Sequence, residues 1–336
     1  MTQSDKTKSH WRVLRNAIVR STSNDTSSSS VDITRTTASS IATDFFPLCP
    51  VSFVDTVKVS MHTPAKDNFA WMMYNLSAAI ESETERSITV VVHEKRKDVK
   101  FVPISELQSH QMNNGVDNTG NIRTWPSEQI LLSYIISSGI LSQIQSVGRP
   151  ELPVSCCELG SGMAGLASLG LLACAPVDFE RVVITDGNLL CVNNLQLCVA
   201  ENQRQNTFPA RVNNTKITAE LLRWDRNATL RKDLQQQFDL VFASDCLFFE
   251  EFHEDLAHTI KNLLRRGSGR CLLLQPSRSG SLDRFCVIAK QYGFTTTQSK
   301  DFDPTIVEKH QEYQQTRPDY VPDVHFPVLL TLTLNI

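Results

Sequence analysis

The stretch Cys156-Cys157-Glu158-Leu159-Gly160-Ser161-Gly162-Met163-Ala164-Gly165 constrains this chain most, because an apolar run ends on a carboxylate and gives way to three closely spaced glycines. Glycines at this spacing let the backbone turn sharply out of a strand and approach a ligand closely before a helix begins. Gly160, Gly162 and Gly165 spell G-x-G-x-x-G, a pattern whose amides and helix N-terminus receive a pyrophosphate. Glu158 opposes that reading. A carboxylate at the strand's end repels a pyrophosphate, yet it can accept a hydrogen bond from the ammonium of a cofactor that carries an amino acid, such as S-adenosylmethionine. From this loop alone, both a nicotinamide dinucleotide and S-adenosylmethionine stay open.

The chain around the loop alternates. Val154 to Leu159 is a strand candidate, Met163 to Ala173 a helix, Arg181 to Thr185 a strand and Leu189 to Asn202 a helix. Phe238 to Ser244, Arg270 to Leu274 and Phe326 to Leu334 add strands, separated by helices at Glu254 to Leu264 and Leu282 to Tyr292. Strands spaced by helices predict a doubly wound, Rossmann-like α/β sheet of parallel strands. The polar stretch from Thr295 to Asp323 interrupts the pattern and predicts a last strand that runs antiparallel. A further helix is expected from Gln129 to Ile140, opened by Trp125-Pro126-Ser127-Glu128 with proline in the first turn.

Ahead of this unit, Ser87 to Val92 alternates like a strand and runs into Glu94-Lys95-Arg96-Lys97-Asp98, read as a charged turn. Gln108 to Asn121 is polar, with Asn and Gly, and marks an internal boundary. The expected organisation is a disordered Ser/Thr-rich tail over 1–50, a smaller β-containing extension over 51–117 and the α/β unit over 118–336. The basic residues of the tail resemble a transit peptide, but Asp5, Asp25 and Asp32 and the lack of an apolar core weaken that reading.

Composition narrows the partners. A net charge of −3 offers no global attraction to nucleic acid. No apolar run reaches the roughly 18 to 20 residues that span a bilayer. Nine cysteines without a C-x-x-C pair suit a reduced cytoplasmic or nuclear protein. His253 and His258 stand five apart, off one helical face, so no metal site is expected. Neighbouring Cys156 and Cys157 should point to opposite faces of a strand.

Acids at successive strand ends carry the chemistry. Asp186 closes the second strand of the α/β unit and can bond both ribose hydroxyls of an adenosine, with Gly187 and Asn188 turning into the next helix; capping that helix is its plainer role. Trp224 can stack on adenine and Asp225 can take its exocyclic amine, although large aromatics commonly serve packing. Ser244 and Asp245 end the fourth strand. With Phe248 three residues on, Asp245 can hold a cationic substrate between a carboxylate and a ring face, unless it only caps a helix.

In order and type, Glu158-Leu159-Gly160-Ser161-Gly162, Thr185-Asp186-Gly187-Asn188, Leu222-Arg223-Trp224-Asp225 and Ser244-Asp245-Cys246-Leu247-Phe248 resemble the seven-β-strand, class I protein-lysine methyltransferases. Adding Asn118-Thr119-Gly120-Asn121 with Trp125-Pro126-Ser127-Glu128, the chain is most similar to the calmodulin-modifying branch. The resemblance begins near Asn118. It implies a seven-stranded sheet, S-adenosylmethionine as cofactor, and calmodulin as protein substrate with methylation up to trimethylation of a lysine; a monomer is the default expectation, which no residue pattern supports. It implies Trp125, Glu158, Gly160, Ser161, Gly162, Asp186, Gly187, Asn188, Trp224, Asp225 and Ser244 for the cofactor, and Asp245 with Phe248, matching a D-x-x-F form of the acidic motif, for the lysine. An NAD(P)-dependent oxidoreductase and a methyltransferase acting on another protein, a small molecule or a nucleic acid are the alternatives. Against an acidic partner, Lys95-Arg96-Lys97 offers a docking patch, or simply a solvated turn.

Overall fold

The computed structural model describes residues 45–54, 69–77, 88–95, 124–148 and 152–334. The loop at Gln108–Asn121 and the tail up to residue 44 lie outside them. Seven strands form the main sheet: β4 (Val154–Glu158), β5 (Phe179–Asp186), β6 (Lys216–Leu221), β7 (Leu240–Ser244), β8 (Arg270–Gln275), β9 (Phe294–Ser299) and β10 (Val328–Leu334), in the spatial order β6-β5-β4-β7-β8-β10-β9. The pairs among β4 to β8 are parallel. β10 runs antiparallel to both β8 and β9, as the broken alternation predicts.

Strand order reverses beside β4, whose neighbours are β5 and β7. Open α/β sheets bind ligands in the crevice outside the carboxyl ends at such a switch point. The helices are α1 (Pro126–Ser137), α2 (Ile140–Gly148), α3 (Leu166–Cys174), α4 (Leu189–Arg204), α5 (His253–Leu263), α6 (Ser281–Gln291), α7 (Pro304–Thr316) and the short α8 (Pro322–His325). Every residue of β4 is buried, as expected for a strand covered on both faces. Cys156, Phe242 and Leu274 face one apolar core, shared with residues of α1 and α3. Cys157, Val241 and Leu273 face the other, shared with α5 and α6. The two cysteines are therefore core thiols on opposite faces, and burial pushes both thiol pKa values upward.

A second, antiparallel sheet holds β1 (Val51–Phe53), β2 (Phe69–Asn75) and β3 (Thr89–Lys95) in sequence order. It is not a separate body, since Trp71, Tyr74 and Val90 to Val92 belong to the same apolar core as α1 and α3. Two asparagines on α4 stand in for a further strand along β3. Asn202 accepts from Val91 N–H (3.0 Å) and donates to Val91 O (2.6 Å), while Asn194 donates to His93 O (2.6 Å) and to Met163 O in the glycine loop (2.7 Å). An edge strand's open backbone groups need such partners.

Three expectations change. Glu94 and Lys95 are strand, not turn: Glu94 is buried and accepts from the hydroxyls of Tyr74 (3.0 Å) and Thr124 (2.5 Å). The rest of the basic run falls outside the described residues. The polar stretch after Phe294 contains a strand and a helix. β9 is an edge strand whose Thr and Gln residues are largely exposed, and α7 buries only Ile306, so neither shows an apolar period. α7 opens on Asp303-Pro304, with Asp303 accepting from Thr305 N–H and Ile306 N–H. Finally, residues 45–50 do not share the character of a tail. Phe46 is 1% exposed, and the Phe45 and Phe46 rings pack edge-on against Tyr313 of α7 at 5.4 and 5.2 Å. Gln129 of α1 accepts from Leu48 N–H and Cys49 N–H.

Candidate functional site

At the switch point the loop after β4 turns through Gly160, Gly162 and Gly165, with φ of +62°, +62° and +58°. A side chain is strained in that region whatever the space. Gly160 also has a steric reason, since a Cβ there would sit 2.9 Å from Cys246 Sγ and 3.3 Å from the Trp224 ring.

Three of the loop's amides already have acceptors within the fold. Ser161 N–H donates to Thr185 O (2.9 Å), Gly162 N–H to Asp186 Oδ2 (2.9 Å) and Gly165 N–H to Ser161 O (3.2 Å). At the start of α3, Leu166 N–H donates to Glu128 Oε2 and Ser168 N–H to Glu158 Oε2, each at 3.1 Å. These are orphan donors of a helix first turn, and Gly165 at the cap offers no side chain. Two carboxylates from elsewhere satisfy them, as helix polarity favours. A pyrophosphate binds through the same donors. This loop has given them to its own acids, so the literal G-x-G-x-x-G does not make a dinucleotide cradle.

Glu158 is 2% exposed, with its Oε2 turned to the first turn of α3. Burial pushes its pKa up to about 7, Ser168 opposing and the Asp186 charge reinforcing the rise. Glu128, which no spacing marked as functional, is buried beside it. Its pKa is raised well above the usual range by burial and then by the Glu158 charge. The only sequence trace of Glu128 was its place as third residue of a proline-opened helix, where its Oε1 accepts from Trp125 N–H (3.3 Å).

Asp186 ends β5 with 8% exposure, its carboxylate bonding Gly162 N–H and, at 2.7 Å, Asn188 N–H. Asn188 in turn caps α4 through Leu190 N–H, and Gly187 O accepts from Arg223 Nε. Trp224 is half-buried, and its ring and Cys246 Sγ both lie against Gly160. Asp225 is exposed and closes its own turn, accepting from Asn227 N–H at 2.8 Å. The two tryptophans part company, because Trp125 joins Phe248, Phe249 and Phe252 in a separate aromatic cluster.

That cluster borders the end of β7. Ser244 is its last residue, half-buried, and Asp245 follows with φ +55°, donating its N–H to Leu274 O. Asp245 does not stand alone. Arg278, in the turn after β8, donates from Nε (3.1 Å) and Nη2 (2.7 Å) to Oδ1 and from Nη2 to Oδ2 (2.7 Å). The Arg278 guanidinium carbon also lies 5.2 Å from the Phe248 ring centroid. Nothing in the Ser277-Arg278-Ser279-Gly280 spacing announced this pairing across 33 residues.

A profile of the lysine methyltransferase family matches residues 105–291, more than half of the chain. The chain belongs to the lysine methyltransferase family. Over 341 aligned residues it is 29% identical to calmodulin-lysine N-methyltransferase of Arabidopsis thaliana, covering 100% of this chain and 99% of that one. Among solved structures, Haemonchus contortus phosphoethanolamine N-methyltransferase 2 in complex with S-adenosyl-L-methionine aligns with TM-score 0.37 and 12% identity, covering 84% of this chain and 73% of that chain. A methyltransferase from Pyrococcus furiosus aligns with TM-score 0.35 and 13% identity over 60% and 85%. Likeness at that level adds nothing to the family match. The strand order, with its antiparallel β10 between β8 and β9, is the class I methyltransferase arrangement that the resemblance implied.

Proposed function

We propose that this protein transfers methyl groups from S-adenosylmethionine to a lysine of calmodulin. Membership of the lysine methyltransferase family establishes the class. The single observation that favours the sulfonium cofactor over a dinucleotide is the loop whose N–H groups are bonded to Glu128, Glu158 and Asp186. An acidic, donor-poor crevice suits a cofactor that carries an ammonium and a sulfonium, and it repels a pyrophosphate. Alignment along nearly all of the Arabidopsis enzyme supports calmodulin as the acceptor.

In this reading Gly160 and Gly162 let the backbone approach the methionine part, and Oε1 of Glu158 is the oxygen left for its ammonium. Asp186 takes the ribose hydroxyls and Trp224 the adenine side. Trp125, Phe248 and Phe249 wall the lysine channel, and Asp245 orients the amine. When bound, the cofactor supplies a sulfonium methyl, an electrophile that accepts the lone pair of a neutral amine. The side chains contribute alignment and exclusion of water. Because a free lysine has a pKa of about 10.4, the site must also favour the deprotonated amine.

The test is transfer of labelled methyl from S-adenosylmethionine to calmodulin and to a whole-cell extract, followed by mass mapping of the modified residue. Titration calorimetry against NAD runs in parallel. Label on a calmodulin lysine and heat with S-adenosylmethionine alone are expected. Label only on other extract proteins removes the substrate and leaves the class standing.

A further inference from the structure

We propose that Arg278 is a positioning residue of the acceptor site, which holds Asp245 through a fork of hydrogen bonds and disfavours the protonated form of the incoming lysine. This rests on the reading of the site as a lysine methyltransferase. A carboxylate facing a lysine on its own would stabilise the ammonium, which has no lone pair to give. Here the acid is neutralised before the substrate arrives.

The geometry is specific. Three contacts tie the guanidinium to both carboxylate oxygens, and the two side chains are 13% and 14% exposed. Oδ1 accepts two of them and Oδ2 one. A carboxylate has roughly four acceptor positions, so one remains on Oδ2 for an amine N–H, enough to turn the nitrogen without holding it charged. Arg278 itself is built in. Its backbone is left-handed (φ +46°), as is that of Ser279 (φ +55°). Arg278 N–H donates to Asp323 O (2.8 Å) and Ser279 N–H to Asp323 Oδ2 (2.7 Å), which pins the turn to α8. Freeing the guanidinium would leave two half-buried charges unpaired, an expensive change. The fork therefore stays in place while substrate enters along the Phe248 side.

The neighbouring charges do not replace it. Glu250 is paired with Arg284 at 2.6 and 2.7 Å, and Asp323 accepts from the Ser279 backbone. Burial lowers the pKa of His253, which bonds Leu247 O and the Ser281 hydroxyl, and so disfavours a charged ring there. Cys246 donates to Leu159 O and Ser244 O. Within this set Arg278 is the cation in contact with Asp245.

The experiment is the pH profile of kcat, at saturating S-adenosylmethionine and saturating full-length calmodulin so that it reports ionisations in the bound complex, for wild type, Arg278→Gln and Arg278→Lys, repeated in a Cys246→Ser background so that the neighbouring thiol contributes nothing. Removing a nearby cation while exposing an anion moves an amine's pKa upward by about one unit or more. The acid limb of Arg278→Gln should shift up by that amount, with a loss of about tenfold near pH 7.5 that largely recovers by pH 9.5. Arg278→Lys should keep the limb near wild type. S-adenosylmethionine affinity by calorimetry, unchanged in all three, shows that the fold and cofactor side survive. A uniform loss at every pH, or a faster Arg278→Gln enzyme at all pH values, overturns the proposal, the second making Arg278 a plug rather than a helper. If wild type places no methyl on any lysine, it is the underlying reading that fails, before any variant is compared.

Discussion

The two halves of the crevice solve different problems. Beside β4 and β5, the glycine loop, Glu128, Glu158 and Asp186 are bonded to one another's backbones and buried. That side is rigid and acidic. Beyond β7 and β8, the Asp245–Arg278 ion pair sits beside aromatic rings, with Phe248 and Phe249 edge-to-face at 4.7 Å. In the proposed reading, one half would hold a ligand by a fixed shape, and the other would meet a reactive group whose charge it must control. Pre-arranged polar groups work best where they need not move. An acceptor channel has to admit and release a protein side chain, which apolar walls do without desolvation of many polar partners.

The sharpest break in that contrast is Asp245→Ala. It should lower methyl transfer by roughly 100-fold or more through lost orientation, while S-adenosylmethionine affinity measured by calorimetry stays within about twofold. Equal losses in both would merge the halves. Next is Gly160→Ala, which places a Cβ 2.9 Å from Cys246 Sγ on a left-handed backbone. Cofactor binding should weaken by about tenfold or more, because strain of this kind amounts to about 1–3 kcal/mol; intact affinity would mean that the loop yields.

Glu128→Ala leaves Leu166 N–H and Trp125 N–H without their acceptor in a buried place, and chemical denaturation should show a loss of about 1–3 kcal/mol. Glu128→Gln, isosteric and neutral like the protonated acid that burial favours, should lose less.

Glu158 makes a pH prediction with a definite sign. Its folded pKa is raised to about 7 from an ordinary value of 4.5, so the native state binds the extra proton. Its contribution to stability is fullest below pH 4.5 and is lost as pH rises toward 7, up to about 3 kcal/mol at 1.36 kcal/mol per unit. Glu158→Gln should flatten that part of the urea-stability profile of the ligand-free protein. The same change in stability between pH 5 and 7 in both proteins would show that Glu158 makes no such contribution. The smallest effect belongs to Asp225→Ala, within about 0.5 kcal/mol in stability, as for exposed surface positions. A tenfold loss of cofactor affinity there would restore the adenine contact that the Asx turn argues against.

Much of this was readable from residue order. The alternation over 154–334 predicted the parallel sheet and its antiparallel end, and the strand-end acids fell at the crevice. What stayed hidden has a common cause. β9 and α7 are exposed, so selection for a buried stripe left no period to read. Glu94 looked like part of a charged turn because its partners Tyr74 and Thr124 are distant in sequence. Residues 45–50 looked like tail because their partners, the Tyr313 ring and the Gln129 side-chain oxygen, are distant in sequence.

By itself the sequence determined the class of architecture and the list of acids, since periodicity and glycine placement are local properties of a chain. The tertiary structure decided what each acid faces. Glu128 and Glu158 became caps for a helix that has no side-chain cap of its own, which changed the glycine loop from an anion cradle into a donor-poor, acidic pocket. Asp245 acquired Arg278 from a turn 33 residues away. A carboxylate's chemistry depends on its partners and its burial, and only folding brings those together.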